Sequence, residues 1–249
     1  MILLFIATLL TADLNVPDAG IQQVVATIAR AAKENAARPE KERATGDALA
    51  DLYIRRACQT GLPARTIVLG IAYALEPTGS IAANPFTAAI FQDVENAGDR
   101  KARWAAMGNP TLRGRQDWLS HFVVSAGLTV ALSEPASELF GIQKEIADAL
   151  GKEKGAGSGF SFTDLNADLA GIGFARWLTG PHSKDAIAEA SRRFQGADFV
   201  PDPGNLPDGL TWSNFATNWG GMKDPRFQAE CERLRKRVNE CQGYGKVSR

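Results

Sequence analysis

Residues 113–178 place ionisable side chains inside segments that are otherwise apolar enough to form core helices. Between residues 116 and 132 apolar side chains occur nearly all round a helical projection, which is typical of a helix buried inside a protein. Polar residues nevertheless recur at every fourth position of this segment: Asp117, His121, Ser125 and Thr129. Because side chains four residues apart are neighbours on a helix, these four should form one polar stripe.

Two later segments repeat this combination of apolar helix and buried charge. The first, roughly residues 137–150, carries three charged residues among apolar ones: Lys144, Glu145 and Asp148. The second, roughly residues 161–178, carries Asp164 and Asp168, with Gly171 and Ala175 on the same stripe. Small residues in such positions allow another helix to approach closely, so we expect close helix packing there.

Helical periodicity continues through most of the remaining chain, and no alternating strand pattern of any length occurs. Further helices are predicted at about 18–30, 47–59, 63–76, 86–95, 99–107 and 183–194, then a short one at Trp212 and a last one after Asp224-Pro225. The sequence therefore predicts an all-α fold: one irregular bundle of about eight to ten helices, without a significant sheet, over residues 13–249.

The charge of the chain constrains its partners. With 28 basic and 28 acidic residues, the formal net charge is zero, so no global field would attract nucleic acid or an anionic membrane surface. We expect a small molecule or a component of the cell envelope as the ligand, and no nucleic acid.

The first twelve residues, MILLFIATLLTA, form an apolar run that is too short to span a bilayer, which needs about 20 residues. The run resembles the hydrophobic region of a secretory signal peptide, which predicts a periplasmic or otherwise extracytoplasmic protein. No Lys or Arg precedes the run, and a cut after Ala12 would leave Leu10 where a small residue is preferred. A buried N-terminal helix or a misplaced start codon are the alternatives. No other segment is a transmembrane candidate, so we expect the mature chain to be soluble.

The three cysteines, Cys58, Cys231 and Cys241, are an odd number, which argues against a disulfide framework. Cys231 and Cys241 would lie about 15 Å apart along one helix and could not pair unless that helix breaks. We interpret them as small buried apolar residues. A bond from Cys58 to one of them stays open for an exported protein.

Burying a charged group without a partner is costly, so the ionisable residues of the three central helices must pair, bind a metal or line a wet cleft. His121, Glu145 and Asp168 lie in the middle of apolar helices, and we predict them as catalytic residues. The predicted metal ligands are Asp117, His121, Glu145, Asp164 and Asp168. Carboxylates with a single imidazole suit Mg²⁺, Mn²⁺ or a di-metal carboxylate site better than they suit structural zinc.

Several of these residues also have ordinary structural interpretations. Asp164 follows Ser161 by three residues, as in a capping box at a helix start. Asp117 near its own helix start would interact favourably with the helix dipole. Lys144 and Asp148 are spaced as a surface ion pair. A serine nucleophile at Ser125 is disfavoured, because a residue in mid-helix has no free backbone N–H groups nearby to form an oxyanion hole.

Three motifs in series resemble the YfiM-like family of uncharacterised bacterial envelope proteins: DWLSHF at 117–122, GIQKE at 141–145 and FSFTDLNADLAG at 160–171. The resemblance covers about 60 of the 249 residues, and the flanking sequence is more similar to uncharacterised planctomycete-type proteins. It implies an envelope location and groups Asp117, His121, Lys144, Glu145, Asp164 and Asp168 as one set, without implying an activity. The chain lacks the lipid-bearing cysteine of the lipoprotein members.

Two functions therefore remain open. In the first, the buried polar residues bind a divalent cation (Mg²⁺, Mn²⁺ or Zn²⁺) and support metal-assisted hydrolysis. In the second, the protein is a non-enzymatic envelope or scaffold protein, and the same residues form a hydrogen-bonded network that fixes helix register. The first predicts Glu145 and Asp168 oxygens within about 5 Å of a His121 nitrogen, around a cavity open to solvent. Lys144 or an arginine filling that space would favour the second.

Overall fold

A computed structural model of the chain describes residues 18–244, and 69% of it is helical. The described part contains twelve α-helices, ten of them of seven or more residues. In chain order they are α1 (Asp18–Ala36), α2 (Asp47–Cys58), α3 (Ala64–Leu75), α4 (Ser80–Ala83), α5 (Ala88–Phe91), α6 (Ala97–Met107), α7 (Gln116–Ala131), α8 (Glu134–Glu153), α9 (Phe162–Thr179), α10 (Ser183–Arg193), α11 (Trp212–Trp219) and α12 (Pro225–Asn239). Short 3₁₀ turns lie at Glu40–Glu42 and Gly196–Asp198.

The prediction of an all-α bundle is confirmed. Across residues 18–244 the only strand-like pairings are three isolated bridges, Gly46 with Pro110, Leu112 with Arg115 and Phe160 with Leu210. Apolar residues from α1 through α12 belong to one hydrophobic core. None of the described helices is both long enough and apolar enough to cross a membrane. The predicted signal peptide, residues 1–12, lies outside the described residues.

The two central helices, α7 and α9, cross at very short distance because one residue at the crossing is glycine. A Cβ atom added to Gly171 would lie 2.0 Å from the backbone oxygen of Phe122. Ala175, one turn later, is fully buried. The close helix approach predicted from these small residues is therefore confirmed at Gly171, and it brings the polar stripe of α7 against the acidic residues of α9.

Helix ends differ from the predicted ones by a few residues, for local reasons. α8 begins before residue 137 because Ser133 caps it, the Ser133 hydroxyl accepting from the Ala136 N–H at 3.3 Å, with proline in the first turn. α1 continues to Ala36 rather than ending near Arg30. Pro63 is the N-cap of α3 and not its first helical residue, which corrects the prediction. The four-residue helix α4 was not predicted.

The C-terminal part packs on the start of α9 through aromatic rings. Phe160 stacks on Phe215 with ring centroids 4.1 Å apart, and Phe162 lies 4.8 Å from the Trp219 ring. The last helix starts as predicted, since an Asp224 carboxylate oxygen accepts from the Arg226 N–H at 2.9 Å.

In the described part of the chain all three cysteines are free thiols; Cys58 and Cys231 are buried and Cys241 is partly buried.

Candidate functional site

Three helices bring four ionisable side chains together in the interior. α7 contributes His121, α8 contributes Glu145, and α9 contributes Asp164 and Asp168; we call these four residues the polar cluster. Their side chains are between 0% and 9% exposed, although three of the four are acids. The helical periodicity of α7, α8 and α9 therefore places these charges on the buried faces of the three helices.

The two ring nitrogens of His121 face different partners. Nδ1 lies 3.0 Å from Asp168 Oδ1, and Ser125 donates its hydroxyl to the same oxygen at 2.7 Å. Nε2 faces Asp164 Oδ2 at 3.4 Å and Glu145 Oε1 at 4.0 Å. One possible ligand atom from each of His121, Glu145 and Asp164 lies within 4.8 Å of the other two, so this group could hold a metal ion.

Glu145 takes the contact that was expected of Asp164 at the start of α9. The Ser161 hydroxyl accepts from the Asp164 N–H at 3.0 Å, so the serine half of the predicted capping box is confirmed. The reciprocal contact comes from another helix, because the Ser161 N–H donates to Glu145 Oε2 at 2.9 Å. This leaves the Asp164 carboxylate free to face His121, and it fixes Glu145 with only Oε1 turned towards the ring.

Two cationic side chains border the cluster on its solvent side. Lys144, which is 51% exposed, places Nζ 3.1 Å from Glu145 Oε1 and 2.8 Å from Asp148 Oδ2. Arg115, 36% exposed, contacts Asp164 Oδ1 at 3.3 Å and Asp208 Oδ2 at 3.1 Å. It also forms an ion pair with Asp117. The outer edge of the cluster is thus neutralised by side chains of the protein itself.

Burial and neighbouring charge shift the proton affinities of the cluster. Burial alone would lower the pKa of His121, but Asp168 and Asp164 outweigh it and raise this pKa to about 9. Burial raises the pKa of Glu145 to about 7, in spite of the opposing charge of Lys144. Burial also raises the pKa of Asp164, against His121 and Arg115. At neutral pH the imidazole therefore carries a proton that the acids stabilise.

One carboxylate oxygen of the cluster lacks a partner. Asp168 Oδ2 is buried and has no hydrogen bond to any of the described residues. It lies under α8, where a Cβ added to Gly141 would come within 2.6 Å of it. Oδ1 of the same residue carries the contacts to His121 and Ser125.

No family model, curated protein or solved structure matches the chain. The resemblance to the YfiM-like family remains an interpretation of three short motifs.

The structure places the predicted site residues in three positions. His121, Glu145 and Asp164 share the inner space. Asp168 is adjacent, on the opposite nitrogen of the imidazole ring. The Asp117 side chain is 50% exposed and faces Arg115. Burial acts to raise the pKa of this carboxyl, but the Arg115 guanidinium outweighs burial and lowers the pKa. The distance criterion set for Glu145 and Asp168 is met, at 4.0 Å and 3.0 Å from the ring nitrogens. The condition set for the alternative is met in part, because Lys144 contacts the Glu145 oxygen that faces the ring.

Other polar residues at the site were not predicted. The loop before α11 supplies Asp208, which accepts from Arg115, and Thr163 donates to the same carboxylate at 3.3 Å. The backbone N–H of Ser161 was also missed as a partner of Glu145. Of the side chains that border the cluster, only Arg115 could be expected from the sequence, because a basic turn directly before a polar helical stripe can reach its acids.

Proposed function

We propose that His121 Nε2, Glu145 Oε1 and Asp164 Oδ2 bind a divalent cation. The observation that carries this proposal is their convergence from three helices, with separations of 3.4 Å and 4.0 Å from the ring nitrogen. Ligand atoms that share one ion at about 2.1 Å are themselves about 3–4 Å apart. The side chains therefore need little movement to coordinate an ion.

The contacts behind the ring support the same proposal. A metal-binding histidine commonly donates its second N–H to a carboxylate, which fixes the tautomer and makes the free nitrogen a better ligand. Asp168 is in that position relative to Nδ1, and it is itself held by the Ser125 hydroxyl. Asp168 would then be a residue that positions the ligand, and the coordinating atoms would come from the other three members of the cluster.

The donor set limits the identity of the cation. Two carboxylates suit Mg²⁺ and Mn²⁺, and one imidazole adds affinity for Mn²⁺ and Zn²⁺. Three protein ligands leave further coordination positions for water, as hydrolytic metal centres require. We therefore propose metal-assisted hydrolysis as the activity of such a centre, to be tested with phosphate-ester, carboxyl-ester and peptide substrates, each with added cation and with chelator.

A specific observation favours the structural alternative. Lys144 and Arg115 already pair with Glu145 and Asp164, so their charges balance part of the acidic cluster without a metal. The structure has a cavity of about 270 Å³ between α8, α9 and α12, but its lining, which includes Glu138, Ile172 and Arg235, contains no member of the polar cluster. In this second proposal the cluster fixes the register of α7, α8 and α9 and has no ligand.

Cation binding to the purified, metal-stripped protein separates the two functions. Titration calorimetry and thermal melting with Mg²⁺, Mn²⁺ and Zn²⁺ should show one site and a higher melting temperature, because a ligand that binds only the folded state stabilises it. His121→Gln should abolish the effect, and Asp164→Asn should weaken it. His182→Gln is the matched control, since His182 is the only other histidine and is exposed. No binding by the wild-type protein, with a melting temperature unchanged by every ion, would leave only the network.

We further propose that the protein is exported, on the basis of the apolar run at residues 1–12. Expression of the full chain in a bacterium, followed by fractionation and N-terminal sequencing, tests this. Recovery of an unprocessed chain in the cytoplasm alone would contradict it.

A further inference from the structure

Lys144 contacts the oxygen that the proposed cation would need. Its Nζ lies 3.1 Å from Glu145 Oε1, the only oxygen of Glu145 that faces His121, because Oε2 accepts from Ser161. An ammonium at that distance and a divalent cation bonded to the same oxygen would repel each other strongly in a poorly solvated interior. The cation and the lysine therefore compete for Glu145.

The surroundings of Lys144 allow it to leave without losing all its partners. The side chain is 51% exposed, so an outward path is open, and its four-carbon stem is flexible. Nζ also contacts Asp148 Oδ2 at 2.8 Å, one helical turn away and nearer to solvent, since Asp148 is 28% exposed. Lys144 thus has an inner partner, Glu145, and an outer partner, Asp148.

Arg115 does not have this freedom. Its guanidinium is shared among Asp117, Asp164 and Asp208, and it also donates to Thr163 at 3.3 Å. Withdrawing it would break several contacts at once. Of the two cationic side chains at the outer edge, Lys144 is therefore the one that can move away from the cluster.

We propose that Lys144 is a tethered competitor of the metal: its ammonium occupies Glu145 Oε1 in the ion-free protein and moves to Asp148 alone when a divalent cation binds. This inference rests on the proposed cation site and adds how that site is regulated. The cation affinity is then set by the distribution of Lys144 between two carboxylates, and any contact that holds Lys144 at Asp148 would strengthen cation binding.

The test is a comparison of Mn²⁺ affinities by calorimetry on the full chain. Lys144→Met should lower the Mn²⁺ dissociation constant by about tenfold or more, because it removes a positive charge in contact with the proposed ligand Glu145. Lys152→Met is the matched control, since Lys152 lies on the same helix and donates to the Ser158 carbonyl at 3.2 Å, away from Glu145. It should change the constant by less than about twofold, because an exposed charge is screened.

A double variant separates competition from long-range charge. Lys144→Met with Asp148→Asn removes one positive and one negative charge, so the net charge equals that of the wild type, and affinity should still rise. Asp148→Asn alone should weaken binding, because Lys144 then keeps only Glu145.

The outcomes distinguish this inference from the site on which it rests. If Lys144→Met and Lys152→Met tighten Mn²⁺ binding equally and the double variant does not tighten it, the competition by Lys144 is overturned. The cation site itself would stand. Tighter Mn²⁺ binding by Lys144→Met and by the double variant, with Lys152→Met unchanged, would support the competition. Failure of every variant to bind Mn²⁺ would overturn both the site and its regulation.

Discussion

Replacing Glu145 by glutamine should remove much of the pH dependence of stability between about pH 4.5 and pH 7. Burial raises the pKa of Glu145 from its ordinary value of 4.5 to about 7, against the lowering effect of Lys144. Because its folded pKa lies above its unfolded pKa, Glu145 contributes stability that is fully present below pH 4.5 and is lost as the pH rises through 7.

The size of the effect follows from these two pKa values. A difference of about 2.5, at about 1.36 kcal/mol for each pH unit, corresponds to about 3 kcal/mol of unfolding free energy. The Glu145 side chain is 0% exposed, so solvent screens little of it. Glutamine keeps an oxygen that can accept from the Ser161 N–H and has no charge to bury. Glu145→Gln should therefore be close to wild type near pH 5 and more stable than wild type at pH 8.

Urea unfolding followed by circular dichroism, in chelator and at intervals from about pH 4.5 to 8, measures these free energies. Glu42→Gln is the matched control, because Glu42 is exposed and lies outside the cluster. The unfolding free energy of Glu42→Gln should vary with pH as that of the wild type does. If the profile of Glu145→Gln is also parallel to that of the wild type over this range, the raised pKa of Glu145 and the charge balance built on it are wrong.

Three further predictions concern the residues around this glutamate. Asp168→Asn should lower the pKa of His121 from about 9 towards its ordinary 6.5, because it removes the charge nearest Nδ1; an NMR titration of the imidazole measures this. Gly171→Ala should cost about 3 kcal/mol or more in urea unfolding, because the added Cβ would lie 2.0 Å from the Phe122 backbone oxygen. Ser161→Ala should cost about 1 kcal/mol in the same assay, through loss of the α9 cap.

Each of these has a control in the same chain. Asp117→Asn should leave the His121 titration nearly unchanged, since Asp117 faces Arg115. Gly173→Ala should be milder than the Gly171 variant, because its Cβ meets side-chain atoms of Tyr244 and Val238 at 3.0 Å and 3.2 Å. Ser191→Ala removes a hydroxyl from an exposed contact to the Ala188 carbonyl and should cost less than about 0.5 kcal/mol. Equal effects in the variant and its control would contradict the corresponding prediction.

The three central helices could be predicted from the sequence because their signals are local. The apolar residues of α7 and α9 recur at helical spacing, and Ser161 marks the start of α9 by residue type, whereas the Ser133 cap of α8 was missed. The faces of these helices follow from the same periodicity, so it was possible to expect His121, Glu145 and Asp168 near each other.

The division of roles within the cluster could not be predicted, because it depends on contacts between residues far apart in the chain. A capping box predicts that Asp164 turns back to the Ser161 N–H, but Glu145 on another helix takes that hydrogen bond. Only the crossing of α8 over the start of α9 decides this. In the same way, Asp208 reaches the site from a loop whose proline and glycine content is typical of a connection and marks no site.

Cation binding and proton release must be coupled if the proposed site is real, and this coupling gives a final prediction. The pKa of His121 is raised to about 9, so at neutral pH its imidazole is protonated and balances one acid of the cluster. A metal ligand must be deprotonated, so cation binding has to displace this proton. The Mn²⁺ dissociation constant should fall about tenfold per pH unit between about pH 7 and 8.5, and calorimetry at pH 8 in buffers of different ionisation enthalpy should show close to one proton released. Asp168→Asn should flatten this dependence, because its imidazole is already neutral at that pH. A constant that does not change with pH in the wild-type protein would mean that His121 is not a ligand, even if the protein binds Mn²⁺ elsewhere.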